Sequence, residues 1–172
     1  MSFYIEKLIA TGSKKTESVI DFIDGVNIVY GPSNTGKTFI VKCIDYIFGS
    51  DKNPFDVSFG YTSIKLIVKT PRGSISMTRN FDENIINVIS TDEKIESGDY
   101  KSKASQKKFE KTINAVWLTL IGVDDMHLLN SNKMFKKQIL SWRTFLHTFL
   151  VTETKIISEI SVSPVNTPLP LR

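Results

Sequence analysis

The sequence predicts an α/β fold, with a strand, a glycine-rich loop and a helix followed by an antiparallel β-meander and further helices. Three observations carry this. First, Val26-Asn27-Ile28-Val29-Tyr30 is a short, apolar, β-branched run that predicts a buried strand, and beyond the loop Ile40, Cys43, Ile44 and Ile47 recur at helical spacing. Second, Ile64, Leu66 and Val68 alternate with Ser63, Lys65 and Lys69, which predicts a half-buried strand over residues 63–70. Third, Phe109, Ile113, Val116, Trp117 and Leu120 fall at i, i+4, i+7, i+8 and i+11, one face of a helix.

Taken in order, residues 3–11 predict a first strand, with Gly12-Ser13-Lys14-Lys15 as its turn and residues 18–23 as its partner. Asp24-Gly25 is a turn signal leading into the run at 26–30. Gly49 stands where a helix C-cap glycine is expected, and Ser50-Asp51-Lys52-Asn53-Pro54 reads as a loop. Pro71-Arg72-Gly73 turns the chain into a strand over 74–79 with Ile75 and Met77 on one face, and residues 85–90 complete the meander. Residues 91–105 are polar, with little to bury. Ser141 suits a helix N-cap, and Trp142, Phe145, Leu146, Phe149 and Leu150 form the apolar stripe of that helix. Pro164, Pro168 and Pro170 make residues 161–172 an irregular tail, so the predicted domain spans residues 1–160.

Composition sets wide bounds. A chain of 172 residues with 41% hydrophobic and 23% charged residues suits one globular domain. The net charge of +4 permits a nucleic-acid partner without demanding one. Residues 101–111 hold five lysines and one glutamate, and Lys103, Lys107 and Lys111 read as the solvated face of a helix because no aromatic residues interleave with them. The single cysteine, Cys43, lies on an apolar helix face and reads as a core thiol in a reducing compartment. No apolar run reaches membrane-span length, and the N-terminus lacks a signal-peptide pattern, so a cytoplasmic protein is expected. His127 and His147 have no Cys or carboxylate at metal-ligand spacing.

The chemistry concentrates in Gly31-Pro32-Ser33-Asn34-Thr35-Gly36-Lys37-Thr38, which reads G-x-x-x-x-G-K-T, the phosphate-binding P-loop. Gly31 and Gly36 allow a sharp turn and close backbone approach. Consecutive N–H groups at the start of a helix make a nest for an anion. Lys37 is placed to reach β- and γ-phosphates, and the Thr38 hydroxyl to bind Mg²⁺. Phosphoryl transfer also needs an Asp at the end of an apolar strand. The one candidate is Leu118-Thr119-Leu120-Ile121-Gly122-Val123-Asp124-Asp125, which reads either as that Walker B strand or as the end of the helix from Phe109, with Gly122 its C-cap. No Ser-Gly-Gly signature occurs; Ser97-Gly98-Asp99 does not match.

Two strands precede Phe22-x-x-Gly25-x-Asn27-x-x-x-Gly31-Pro32-x-Asn34-x-Gly36-Lys37-Thr38, and the helix after it ends Ile47-Phe48-Gly49. This arrangement resembles the N-terminal lobe of an SMC/RecN/SbcC-type ABC ATPase head, over residues 3–160 and most specifically over 18–50. The resemblance implies a P-loop NTPase lobe whose antiparallel β-meander packs beside the P-loop strand and helices. It implies ATP and Mg²⁺ as cofactors, with residues 31–38 as the nucleotide site and Thr38 as a metal ligand. It further implies a C-terminal lobe or a homodimer partner that brings the signature motif and Walker B, DNA as a possible partner, and a truncated or split member of the family. The family's Q-loop glutamine is replaced by Glu153, after Phe149-Leu150-Val151-Thr152, which makes Glu153 a second candidate metal ligand. Two other classes compete. A self-contained P-loop kinase needs a lid with arginines, but Arg72, Arg79, Arg143 and Arg172 are widely separated; a non-catalytic nucleotide-binding remnant needs only the loop. The absence of an Asn/Thr-Lys-x-Asp segment favours ATP over GTP.

Overall fold

The computed structural model describes residues 3–13, 15–103, 111–123, 128–130, 137–143 and 145. Met1–Trp142 form one compact unit and Arg143–Arg172 a second, of which only Arg143 and Phe145 are described. The expected boundary at residue 160, the tail, Glu153, His127, His147 and most of the aromatic stripe after Trp142 lie outside the described residues.

Six strands, β1 (Tyr4–Gly12), β2 (Lys15–Asp21), β3 (Ser63–Thr70), β4 (Gly73–Asn80), β5 (Ile85–Ser90) and β6 (Gly98–Lys101), form one antiparallel sheet in the order β2-β1-β3-β4-β5-β6. The chain leaves the sheet after the edge strand β2, forms the glycine-rich loop and α1 (Lys37–Ile47), and re-enters as β3 on the other side of β1. Register then sets the faces. Leu8 pairs with Leu66, Leu66 with Met77 and Met77 with Val88, so one row of buried apolar side chains crosses four strands. Cys43, Tyr46 and Ile47 of α1 pack against this face. Each such side chain contributes about 1.5–3 kcal/mol when fully buried, so the seam between α1 and the sheet holds the helix in place.

Both ends of α1 are defined by local chemistry. Gly49 follows the helix at φ 98°, where an L side chain is strained, and an added Cβ would lie 2.3 Å from the Ser102 carbonyl oxygen. Arg79 shares strand parity with Ile75 and Met77, which forces it to the inner face, 2% exposed. Its guanidinium donates to the carbonyls of Tyr46 at 2.8 Å, Ser50 at 2.7 Å and Glu83 at 3.0 Å, and lies 4.0 Å from the centre of the Tyr46 ring. A cation at the carbonyl end of a helix interacts favourably with the negative pole of the helix dipole. Burial pulls the Arg79 pKa below the ordinary arginine value.

The structure corrects several expectations. Residues 26–30 form no strand. Val26, Ile28 and Tyr30 are 86%, 79% and 91% exposed, and the P-loop strand of the expected lobe is therefore absent among the described residues. β-branched sequence favours an extended chain, but a strand needs ladder partners, and among the described residues none lies beside this run. The Asn27 side chain instead closes the turn at Asp24-Gly25, accepting from the Ile23 N–H and donating to the Ile23 and Gly25 carbonyls. Residues 91–105 are less polar in their packing than in their composition: Ile95 and Tyr100 are buried, Tyr100 on β6. Asp92 is buried with them. Burial pushes its carboxyl up, but hydrogen bonds from Arg72 Nε, Thr70 Oγ1 and the Lys94 N–H hold it below the usual carboxylate range.

The second helix, α2 (Ile113–Leu120), starts later than Phe109, which with Lys107 lies outside the described residues. Lys103 and Lys111 are not on its surface: Lys103 pairs with Asp51 at 3.0 Å and Lys111 with Glu96 at 2.7 Å. Leu118–Leu120 are helical and Gly122 follows at φ 82°, so the helical alternative holds over this stretch and the strand alternative does not. Asp124 and Asp125 lie outside the described residues. A two-stranded hairpin, β7 (Leu128–Asn130) and β8 (Lys137–Ile139), was not signalled by any alternation in the sequence.

Replacing Arg79 by Met keeps apolar bulk but removes the charged donor to the Tyr46, Ser50 and Glu83 carbonyls, leaving Tyr46 only the Gly49 N–H. Hydrogen bonds to a charged group are worth about 1.5–3 kcal/mol, so Arg79→Met should lower unfolding free energy by roughly that amount. Urea titration followed by far-UV circular dichroism should show a lower midpoint with an unchanged slope; an unchanged midpoint contradicts the anchoring role.

Candidate nucleotide site

The loop that the sequence singles out is built from backbone conformations that few residues tolerate. Gly36 is the N-cap residue of α1 with φ 90°, and Asn34 is a non-glycine residue at φ 63°. Glycine at 36 has no Cβ to strain there, and Asn is among the side chains that accept this region. No side chain caps the start of α1, and its first turn holds no acidic residue. The Phe39 N–H donates to the Gly36 carbonyl at 2.9 Å, and the N–H groups of Lys37 and Thr38 have no intrahelical partner, where the helix dipole adds positive potential. This is the donor arrangement that receives phosphate oxygens.

Lys37 closes the same loop. Its Nζ donates to the Gly31 carbonyl at 2.8 Å, to the Pro32 carbonyl and to Thr35 Oγ1 at 3.2 Å, and Thr35 Oγ1 donates to the Pro32 carbonyl at 2.8 Å. Residues 31–35 thus curve around one ammonium group. Pro32, Ser33, Asn34 and Thr35 are exposed, and so is Thr38, one residue into the helix. The structure brings all eight predicted residues, Gly31 to Thr38, into one loop and helix start.

The residues fit a triphosphate and a hydrated Mg²⁺. Uncapped N–H donors and a lysine suit phosphate oxygens, and the exposed Thr38 hydroxyl suits a cation that keeps most of its waters. Among the described residues no group of three or more His, Cys, Asp or Glu side chains gathers as a metal cage. Cys43 is buried beneath the loop, and burial pushes its thiol pKa up to about 12, so it is a core side chain and not a nucleophile.

Ser97-Gly98-Asp99 has a structural explanation. Ser97 accepts from the Ser90 N–H, and Gly98 and Asp99 pair with Val88 and Asn87 in the sheet. One feature beside the loop has no periodic signal in the sequence. Phe39, Phe55, Phe59 and Tyr61 gather beside the loop, with Phe39 and Phe55 stacked at 5.0 Å and Phe55 and Tyr61 tilted against each other at 4.8 Å. Phe39 is sixteen residues before Phe55, so no single period links the group, and only the aromatic content between 55 and 61 hints at it.

Comparison with known families places this geometry. The chain belongs to the AAA domain family, whose match covers residues 5–159, and so is a P-loop ATPase-type domain of a class that generally binds ATP with Mg²⁺. No curated protein matches the chain. No described helix is long and apolar enough to cross a membrane.

Removing the Lys37 ammonium should weaken ATP–Mg²⁺ binding about ten- to a hundred-fold, since a charge-assisted hydrogen bond is worth about 1.5–3 kcal/mol. Thr38→Ala should weaken binding only when Mg²⁺ is present. Isothermal titration of both variants checks this; wild-type affinity in Lys37→Ala contradicts the assignment of the loop.

Proposed function

We propose that this chain is the nucleotide-binding lobe of an SMC/RecN-like, DNA-associated ATPase of the DNA-repair or phage-defence type, holding ATP through residues 31–38 and Mg²⁺ through Thr38. The observation that carries this reading is the loop itself, with Gly36 in a left-handed conformation at an uncapped helix start and Lys37 enclosed by residues 31–35. Bound ATP supplies the phosphoryl group. Lys37 and the first-turn N–H groups bind and orient the phosphates, and the Thr38 hydroxyl holds the cation. Glu153 is the proposed second metal contact, by its position after an apolar run.

The proposed partner is a C-terminal ATPase lobe or a second head in a homodimer, with the complex acting on DNA in the cytoplasm. Support comes from residues 26–30. An apolar run directly before the P-loop, with Val26, Ile28 and Tyr30 exposed and no ladder partner among the described residues, is a surface that strands from another lobe would bury. No Ser-Gly-Gly signature occurs in the sequence to stabilise charge on the transferring phosphoryl group.

The reading predicts that the purified chain binds ATP but releases phosphate slowly, and that a chain carrying the signature motif and Walker B, together with DNA, accelerates release. Steady-state phosphate release beside sedimentation measures this. Fast turnover by a well-behaved monomer, abolished by Lys37→Ala, would show instead that the active site is complete within these residues.

A further inference from the structure

Lys37 is held in place without losing its charge. An ammonium has three protons to donate, and three oxygens receive them: the Gly31 carbonyl at 2.8 Å, the Pro32 carbonyl, and Thr35 Oγ1 at 3.2 Å. All three acceptors are neutral, and among the described residues no carboxylate pairs with Lys37. A carboxylate would compete with a phosphate for the cation, whereas neutral oxygens fix its position and leave its charge available. Of the three, only Thr35 Oγ1 belongs to a side chain. It also donates to the Pro32 carbonyl at 2.8 Å, so Pro32, Thr35 and Lys37 close a ring of hydrogen bonds. Gly31 lies against the same hydroxyl: a Cβ there would stand 3.5 Å from it.

We propose that Thr35 is a positioning residue, whose hydroxyl aims the Lys37 ammonium at the phosphates and marks the place that a phosphate oxygen takes. The inference rests on the P-loop reading and adds what orients its cation. The motif G-x-x-x-x-G-K-T leaves position 35 open, so the pattern itself demands no hydroxyl there. Lys37 is half-buried and carries its charge on a flexible four-carbon stem, and ordering that stem costs free energy. The Thr35 hydroxyl orders it before the ligand arrives. An incoming oxygen must replace one of the three acceptors. The Thr35 contact is the longest of them, and both carbonyls belong to the backbone of the turn. The hydroxyl therefore yields to the phosphate and keeps its bond to Pro32. Thr35 acts through Lys37, on the phosphate end of the ligand alone.

Isothermal titration with Mg²⁺–ATP and with Mg²⁺–tripolyphosphate tests this. Thr35→Val keeps the branched shape and removes the hydroxyl. It should weaken both ligands by the same factor, about two- to tenfold, the range that one neutral hydrogen bond supports. Thr35→Ser should restore wild-type affinity. A double-mutant cycle separates positioning from a merely structural role: on a Lys37→Ala background, Thr35→Val should cause no further loss. Three results overturn the proposal and leave the P-loop standing. They are unchanged or tighter binding by Thr35→Val, a loss for ATP that tripolyphosphate does not share, and a full loss repeated on the Lys37→Ala background. Failure of the wild-type chain to bind either ligand overturns the P-loop reading and this inference together.

Discussion

The P-loop is only as fixed as the helix behind it, and α1 is fixed by the seam it shares with the antiparallel sheet. Cys43, Tyr46 and Ile47 lie against the buried row that runs from Leu8 through Leu66 and Met77 to Val88. At its far end, Arg79 reaches from β4 to the last carbonyls of the helix, and Gly49 lets the chain turn away against Ser102. The start of α1, where Gly36 and Lys37 stand, is thereby held at a defined place over β1 and β2. A meander that carries no catalytic side chain thus determines where the phosphate-binding groups point.

The two sides of the loop contrast sharply. On the helix side Cys43, Tyr46 and Ile47 are packed against the sheet. On the other side, residues 26–30 present apolar side chains to solvent. Desolvating such a run is favourable at about 25 cal/mol per Å² of apolar surface, so it tends to associate. The proposed phosphate site and the surface expected to recruit another lobe are contiguous in sequence. Movement of residues 26–30 into a neighbouring sheet would act directly on Gly31 and on the carbonyls that surround Lys37.

The parts of this architecture legible in the sequence are those governed by local rules. The P-loop is legible because phosphate chemistry admits few residue types at each position, and α1 because its apolar spacing ends at Gly49. The strands β3 and β4 follow from alternation across Pro71-Arg72-Gly73. What stayed hidden depends on neighbours. The run at 26–30 has every local mark of a strand, but a strand is a pairing, and the pairing partner is not specified locally. Arg79 stands out in the sequence only as one of four scattered arginines, although its parity with Ile75 and Met77 is a usable sign that it faces inward. Ile95 and Tyr100 are single apolar residues in a polar stretch, buried because β6 joins the sheet there. The aromatic group around Phe55 is assembled by the return of the chain from α1 to β3, which no periodicity reports.

The central claim is that residues 31–38 hold the phosphates of ATP. Hydrogen–deuterium exchange, followed with and without Mg²⁺–ATP, tests it most directly, because phosphate oxygens would accept from the first-turn amides themselves. The account predicts slowed exchange concentrated in peptides covering residues 31–39. Unchanged exchange in those peptides at saturating ATP, with protection elsewhere or nowhere, would contradict it.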